Sequence, residues 1–212
     1  MSTPDGPRSV KIDNDERGAW SSDRPRREGG PPRQADISVR SRVLRPADRM
    51  RYSPGSLVVV VSGSADDRDR FIGRVFEDRG AVLTLDRVRA LLAGRVAEEE
   101  AEERAAQLLD AAVLKRLEEH ASVVVGVDGV EAADRERFVR MAARVGRPRH
   151  LILLEAGRDR VAEEDRAALN DLRRRLDAGE LGAEGFQTAL RLGGATVSEV
   201  KRILFRPPPQ DD

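Results

Sequence analysis

An uninterrupted run of apolar residues, Leu57–Val61, is the feature that most constrains the fold. It reads LVVVV, it ends at Ser62–Gly63, and an amphipathic segment follows over residues 70–76. A strand that is apolar at every position is buried on both faces, and such strands are typical of parallel sheets covered by helices. The run therefore predicts a parallel α/β domain.

The rest of the chain alternates apolar runs with amphipathic segments, so we expect strands and helices to alternate. This pattern predicts an α/β fold, with a parallel sheet of about five strands and helices on both faces. Further strands are predicted at Ala81–Leu85, Ser122–Val127, Leu151–Leu154 and Phe186–Leu192, and a lead-in strand within residues 37–50. Helices are predicted at residues 70–76, Asp86–Leu92, Glu98–Glu119, Asp134–Val145 and Glu163–Leu176.

The two ends of the chain differ in composition from the middle. Residues 1–35 mix charges with Pro, Gly and Ser and contain Trp20, the only tryptophan. Such a segment buries too little apolar surface to offset its chain entropy, so we predict a disordered tail. The expected organisation is a tail over residues 1–35, a domain over 36–205 and a disordered end over 206–212. Trp20 is either a solvated linker residue or part of a motif that docks a protein partner.

Composition excludes several classes of function. The 38 basic and 38 acidic residues balance, so no net charge attracts the chain to nucleic acid or to an anionic membrane. A local basic patch is still compatible with this composition. There is no cysteine and there are only two histidines, which excludes thiolate chemistry and a histidine metal site. The acidic run from Glu98 to Glu103 fits a solvated helix start better than a metal site. No apolar run approaches the length of a membrane span, and we expect a cytoplasmic protein.

The strand, loop and helix around Gly63 have the order of a phosphate-binding loop, G-x-x-x-x-G-K-[ST]. With Gly63 as the first glycine and Ser64 beside it, Arg68 falls where the second glycine belongs. Asp69 then replaces the lysine, and Arg70 replaces the hydroxyl that holds magnesium. A helix beginning near Arg70 is expected, with an aspartate of this loop as its cap. The frame of a nucleotide site is present without its phosphate-binding chemistry.

Four blocks of the chain together resemble the polynucleotide-kinase-like branch of P-loop kinases, which includes zeta-toxin-like kinases. They are SLVVVVSGSADDRDRFIG in place of VVLxGxxGSGKSTFA, LTLDRVRAL in place of LSSDxxRxxL, VVVGVDG in place of VVVDATN, and GAEGFQTALRL near the end. The resemblance covers residues 54–192, and it implies an ATP- and magnesium-dependent kinase fold.

The resemblance also implies roles for particular residues. Asp86 takes the place of the base that acts on the acceptor hydroxyl, and Arg89 that of the arginine on an acceptor phosphate. Arg158 and Arg160 take the place of lid arginines that clamp phosphates. The third block has Gly126 where the family has aspartate, and Asp128, two residues further on, either replaces that aspartate or is a turn residue. A purely structural interpretation stays open, with Asp86 as a helix cap and the arginines on the surface.

Two functions from different classes remain. The first is a pseudokinase, a kinase-like fold that has lost phosphoryl transfer and serves as a binding or regulatory module with no cofactor. The alternative is a divergent kinase that uses ATP and Mg²⁺ to phosphorylate a nucleic-acid end or a small hydroxyl acceptor. Nucleotide binding without turnover is a third possibility. Nucleic acid as a partner is left open by the sequence, and a membrane partner is not expected.

Overall fold

The computed structural model describes residues 36–207, which form one compact unit. The expectations for residues 1–35, including Trp20, and for residues 208–212 lie outside the described part of the chain. The described residues form an α/β domain, and the predicted fold class is confirmed.

Within residues 36–207, eight strands form two sheets, and every pairing among them is parallel. The main sheet has six strands in the order β1-β7-β6-β3-β5-β4, and β2 pairs with β8 in a separate ribbon. The strands are β1 Arg42–Leu44, β2 Arg49–Tyr52, β3 Leu57–Ser62, β4 Val82–Thr84, β5 Val123–Gly126, β6 Arg149–Leu154, β7 Thr188–Leu192 and β8 Arg202–Phe205.

Helices cover both faces of the main sheet. They are α1 Ala65–Val75, α2 Leu85–Leu92, α3 Glu98–Glu118, α4 Ala132–Arg144, α5 Asp165–Asp177 and α6 Ala195–Glu199. Short 3₁₀ turns occupy Arg79–Ala81, Arg158–Arg160 and Glu180–Glu184.

The position of strand β3 between two core clusters explains why its sequence is continuously apolar. Successive side chains of a strand point to opposite faces. Leu57, Val59 and Val61 join a core cluster beneath α3, α4 and α5, whereas Val58 and Val60 join a second cluster beneath α1. All five residues are fully buried. Each position from 57 to 61 therefore needs an apolar side chain.

The structure differs from the sequence expectations at several boundaries. The lead-in region forms two strands, β1 and β2, in place of one, and the strands β2 and β8 and the short helix α6 carry no clear sequence signal. The expected helix at residues 70–76 begins at Ala65. Asp86 is not the cap of α2, because Thr84 fills that position and its hydroxyl accepts from the Arg87 N–H at 3.4 Å.

No helix within residues 36–207 is both long and apolar enough to cross a membrane.

Candidate functional site

The predicted site residues lie on segments that follow three strands of the main sheet. Because the sheet is parallel, the carboxyl ends of β3, β4, β5 and β6 lie at the same edge. The chain leaves β3 toward β4 and β5 on one side, while β6 and β7 lie on the other side of β3. Such a reversal of strand order is where open α/β sheets bind ligands. The sheet topology therefore marks the end of β3 as the candidate site.

The connection between β3 and α1 is much shorter than a phosphate-binding loop. Only Gly63 and Ser64 separate the last residue of β3 from the first residue of α1. The Ser64 hydroxyl accepts from the Asp67 N–H at 3.4 Å and caps the helix, so the expectation of an aspartate cap is wrong. Serine is a strong N-cap, and the acidic first turn suits the positive end of the helix dipole. Arg68, Asp69 and Arg70 consequently lie within a helix and not in a loop.

Gly63, the one glycine that the loop retains, is required by packing. A Cβ atom at this position would lie 2.8 Å from Leu169 Cδ1 and 2.9 Å from Val161 Cγ2. Both of those side chains belong to the buried core. The close approach of α5 and the preceding turn to the end of β3 therefore explains the glycine without any bound phosphate.

Arg68 points inward from α1 and is almost completely buried, with 1% of its surface exposed. Its Nε donates to Asp69 Oδ1 at 2.7 Å, and its Nη1 donates both to Asp128 Oδ1 at 2.8 Å and to the Val127 carbonyl oxygen. Burial alone would lower the pKa of Arg68, but the carboxylates of Asp69 and Asp128 outweigh it and the pKa is raised. The guanidinium is therefore a fixed positive charge held by the protein's own acceptors.

The space for the Arg68 side chain exists because residue 126 is glycine. A Cβ atom on Gly126 would lie 2.8 Å from Arg68 Nε and 3.1 Å from its Cδ. The guanidinium passes over the end of β5, next to the end of β3. The side chain thus fills part of the crevice at the carboxyl edge of the sheet.

Asp86 and Arg89, the predicted catalytic pair, are brought together at this edge. Arg89 Nη1 donates to Asp86 Oδ1 at 2.6 Å, and its Nε and Nη2 donate to the two oxygens of Glu102 at 2.8 and 2.6 Å. Its Nη1 also lies 3.7 Å from Asp128 Oδ2. The hydrogen bond to Glu102 is the main reason why the pKa of Arg89 is raised. Asp86 is exposed, and one of its carboxylate oxygens already accepts from Arg89.

Asp128 joins these two arginines into a single ionic network, which we call the Arg68–Arg89 network: Arg68, Asp69, Asp86, Arg89, Glu102 and Asp128. Glu102 was not expected from the sequence, because it lies on α3 and meets Arg89 only through the packing of α2 against α3. The sequence signal for Asp128 was its place after a buried strand.

Three other arginines were predicted to bind phosphate. Arg70 and Arg160 both donate to the Asp67 carboxylate, and Arg158 does not share this contact. Arg160 Nη1 donates to Asp67 Oδ1 at 2.5 Å, and Arg70 Nη1 donates to the same oxygen at 2.9 Å. Arg158 lies at the start of a 3₁₀ turn and is exposed. Asp67 is one of the aspartates expected to cap α1. In the structure its carboxylate instead ties α1 to the turn after β6.

A cleft of about 440 Å³ opens beside these residues, between α1, the end of β6 and α6. Three arginines lie on its wall together with Asp67 and Glu155, and its apolar surface comes from Phe71, Leu154 and Val197. The arginines are Arg70, Arg74 and Arg160. In this cleft, free volume and cationic groups adjoin the start of α1.

Within residues 36–207, no three or more His, Asp or Glu side chains are arranged to hold a metal ion.

Comparison with known proteins gives little further guidance. No protein-family model matches the sequence, and no curated protein matches it. A solved structure from Chloroflexus aurantiacus, of a protein provisionally named a kinase, is similar at 14% sequence identity. The similarity covers 66% of this chain and 86% of that chain, with a TM-score of 0.43. A likeness of this degree carries no functional argument.

Proposed function

We propose that this protein is a pseudokinase: a kinase-like α/β domain that does not transfer the γ-phosphate of ATP and acts as a binding or regulatory module. The observation that carries the proposal is Arg68. Its guanidinium lies over Gly126, bound to Asp69, Asp128 and the Val127 carbonyl. A side chain held by three internal acceptors leaves little room for a nucleotide phosphate and little free positive charge to bind one.

The short turn after β3 supports the same proposal. A phosphate-binding loop works by pointing successive backbone N–H groups at the phosphate oxygens. Here α1 begins two residues after β3, and Ser64 caps it. Few loop N–H groups remain to form a cradle. The carboxylates of Asp67 and Asp69, which lie in the first turns of α1, would also repel a phosphate.

The alternative, a divergent ATP-binding protein, has one observation in its favour. The cleft of about 440 Å³ beside α1 has Arg70, Arg74 and Arg160 on its wall. Arginine binds phosphate well, because its planar fork matches two oxygens at once. If Arg70 and Arg160 exchanged Asp67 for a phosphate, the cleft could hold a nucleotide without the lysine.

Thermal unfolding with and without Mg-ATP separates the two. A ligand at 100 times its Kd stabilises a protein by about 2.7 kcal/mol. For a chain of this size that raises the Tm by roughly 5–11 °C. We expect no rise with 1 mM Mg-ATP and no saturable heat in a calorimetric titration. A rise in the Tm of several degrees, or a micromolar Kd, would show that the protein binds nucleotide and would refute the proposal.

If nucleotide binding is found, a matched pair of variants shows whether the cleft is the binding site. Loss of binding in Arg160→Gln, with binding kept in Arg79→Gln, would establish the cleft as the nucleotide site. Arg79 is an exposed arginine outside that cleft. Transfer of the γ-phosphate of ATP to an acceptor hydroxyl by the native protein would establish the divergent kinase. Binding without any release of ADP would establish a nucleotide-binding module.

A further inference from the structure

The β2–β8 ribbon has a strongly cationic outer face. Met50, Tyr52 and Ile203 point inward and are buried. The alternate positions point outward, and four of them are exposed arginines: Arg49, Arg51, Arg202 and Arg206. Arg206 follows β8 and extends the pairing, because its N–H donates to the Tyr52 carbonyl at 3.0 Å. We call this surface the arginine ribbon.

Two arginines of this ribbon face each other across the strands. Arg49 lies directly opposite Arg202 in the register of the two strands. Like charges directly opposite each other on neighbouring strands destabilise a sheet. An arrangement that opposes stability in this way is explained most simply by an anion that binds across the two strands.

Few carboxylates neutralise the ribbon. Asp48 lies 3.9 Å from Arg49, and Glu77 lies 2.9 Å from Arg202. Within residues 36–207, the side chains of Arg51 and Arg206 have no ion pair or hydrogen bond. Among the described residues, nothing competes with a ligand for these two guanidinium groups.

The segments that carry the ribbon concentrate positive charge in a protein with no net charge. Residues 36–52 and 199–207 contain eight basic residues against three carboxylates. The basic residues are Arg40, Arg42, Arg45, Arg49, Arg51, Lys201, Arg202 and Arg206. A local field of this sign attracts a polyanion even though the whole chain is neutral.

We propose that the arginine ribbon binds the phosphate backbone of nucleic acid. Outward residues on one strand repeat about every 6.6 Å, and the neighbouring strand lies about 4.8 Å away, so the arginines form two rows. Each planar guanidinium can take two phosphate oxygens. A linear chain of closely spaced phosphates meets such a double row better than an isolated anion does.

The chemistry of the outer face also indicates how the nucleic acid is bound. The aromatic rings of the ribbon, Tyr52 and Phe205, belong to the inward positions, where Phe205 stacks on Phe76 at 6.1 Å between ring centroids. No aromatic ring at the outward positions can stack on a base. We therefore expect contacts to the phosphates, which carry no sequence information. Only the half-buried Leu204 is apolar among those positions, which leaves little to insert into a membrane.

The salt dependence of binding gives a quantitative test. Four phosphate contacts predict a slope of log K against log salt of about −3.6 for duplex DNA and about −2.8 for a single strand. Affinity for duplex DNA should then fall about 150-fold between 50 and 200 mM salt. These values are to be measured on the full chain with fluorescently labelled oligonucleotides of mixed sequence.

The decisive comparison is between two double variants of equal charge. Arg51→Gln with Arg206→Gln removes two contacts without breaking an ion pair, and it should reduce the duplex slope by about 1.8. The control is Arg79→Gln with Arg95→Gln, two exposed arginines outside the ribbon, and it should leave the slope unchanged. Matching melting temperatures would confirm that both variants are folded.

Three results would overturn the proposal. One is equal slopes for the two double variants. Another is the lack of measurable nucleic-acid binding at 50 mM salt. The third is binding to phosphatidylserine vesicles in the absence of nucleic-acid binding, which would assign the ribbon to a membrane. None of these depends on Mg-ATP, so the ribbon and the nucleotide site are tested separately.

Discussion

The buried histidine of strand β6 should make the stability of this protein depend on pH. His150 is 7% exposed, its Nδ1 lies 2.8 Å from Thr188 Oγ1, and its Nε2 lies 3.3 Å from Ser56 Oγ. Its ring contacts the Tyr52 ring at 4.5 Å between centroids. Burial, with a smaller contribution from the positive charge of Arg149, lowers the pKa of His150 from 6.5 to about 4.

The sign of the effect follows from which state binds the proton more tightly. In the unfolded chain the His150 side chain takes up a proton near its ordinary pKa of 6.5, whereas in the folded protein it does so only near pH 4. Stability is therefore complete above pH 6.5 and is lost as the pH falls toward 4. Linkage between these two pKa values gives a loss of about 2 kcal/mol between pH 7 and pH 5. For a chain of this size, that loss lowers the Tm by roughly 4–8 °C.

Denaturant titrations at pH 7, 6 and 5 measure this loss, and a histidine variant assigns it. His150→Gln should have a lower stability at pH 7 but a flatter dependence on pH. His120→Asn, which changes the exposed histidine, should keep the full dependence. A native protein whose free energy of unfolding is the same at pH 7 and pH 5 would refute the reasoning. An unchanged slope in His150→Gln would do the same.

Two further predictions concern single backbone positions, each checked by thermal unfolding. His120 has a φ of 63°, which glycine adopts at a lower cost, so His120→Gly should raise stability by about 0.5–1 kcal/mol. Gly126→Ala should displace the Arg68 side chain and cost about 1–3 kcal/mol, whereas its control, Gly73→Ala in the middle of α1, meets nothing closer than 3.5 Å and should be neutral or stabilising. A Gly126→Ala protein as stable as the native one would show that Arg68 does not depend on that space.

The parts of the fold that could be predicted are those in which the sequence pattern is local. The strand at Leu57–Val61 and the helix at Glu98–Glu119 were found within one residue, because each has a continuous apolar or amphipathic signal. The start of α1 was misplaced by five residues. The expectation of a loop, taken from the spacing of a phosphate-binding motif, overrode the local signal of Ser64 as a cap before an acidic turn.

The site was predictable as a location but not as a set of contacts. Its place at the carboxyl edge follows from the alternation of strands and helices. The pairing of Arg89 with Glu102 depends on how α2 packs against α3, and no spacing in the sequence encodes it. The burial of Arg68 likewise depends on the neighbouring strand. Charged residues that look solvent-exposed in the sequence form ion pairs with each other once the helices pack on the sheet.

The contact between Arg68 and Gly126 has a consequence for how these two positions can vary. A Cβ atom on residue 126 would lie 2.8 Å from Arg68 Nε, so the arginine on α1 occupies the volume that a larger residue at the end of β5 would need. Enlarging residue 126 alone would create a clash, and shortening residue 68 alone would leave a cavity. This arrangement predicts strong epistasis between the two positions. Among relatives of this protein, residues 68 and 126 should therefore covary, with a small residue at one whenever the other is large.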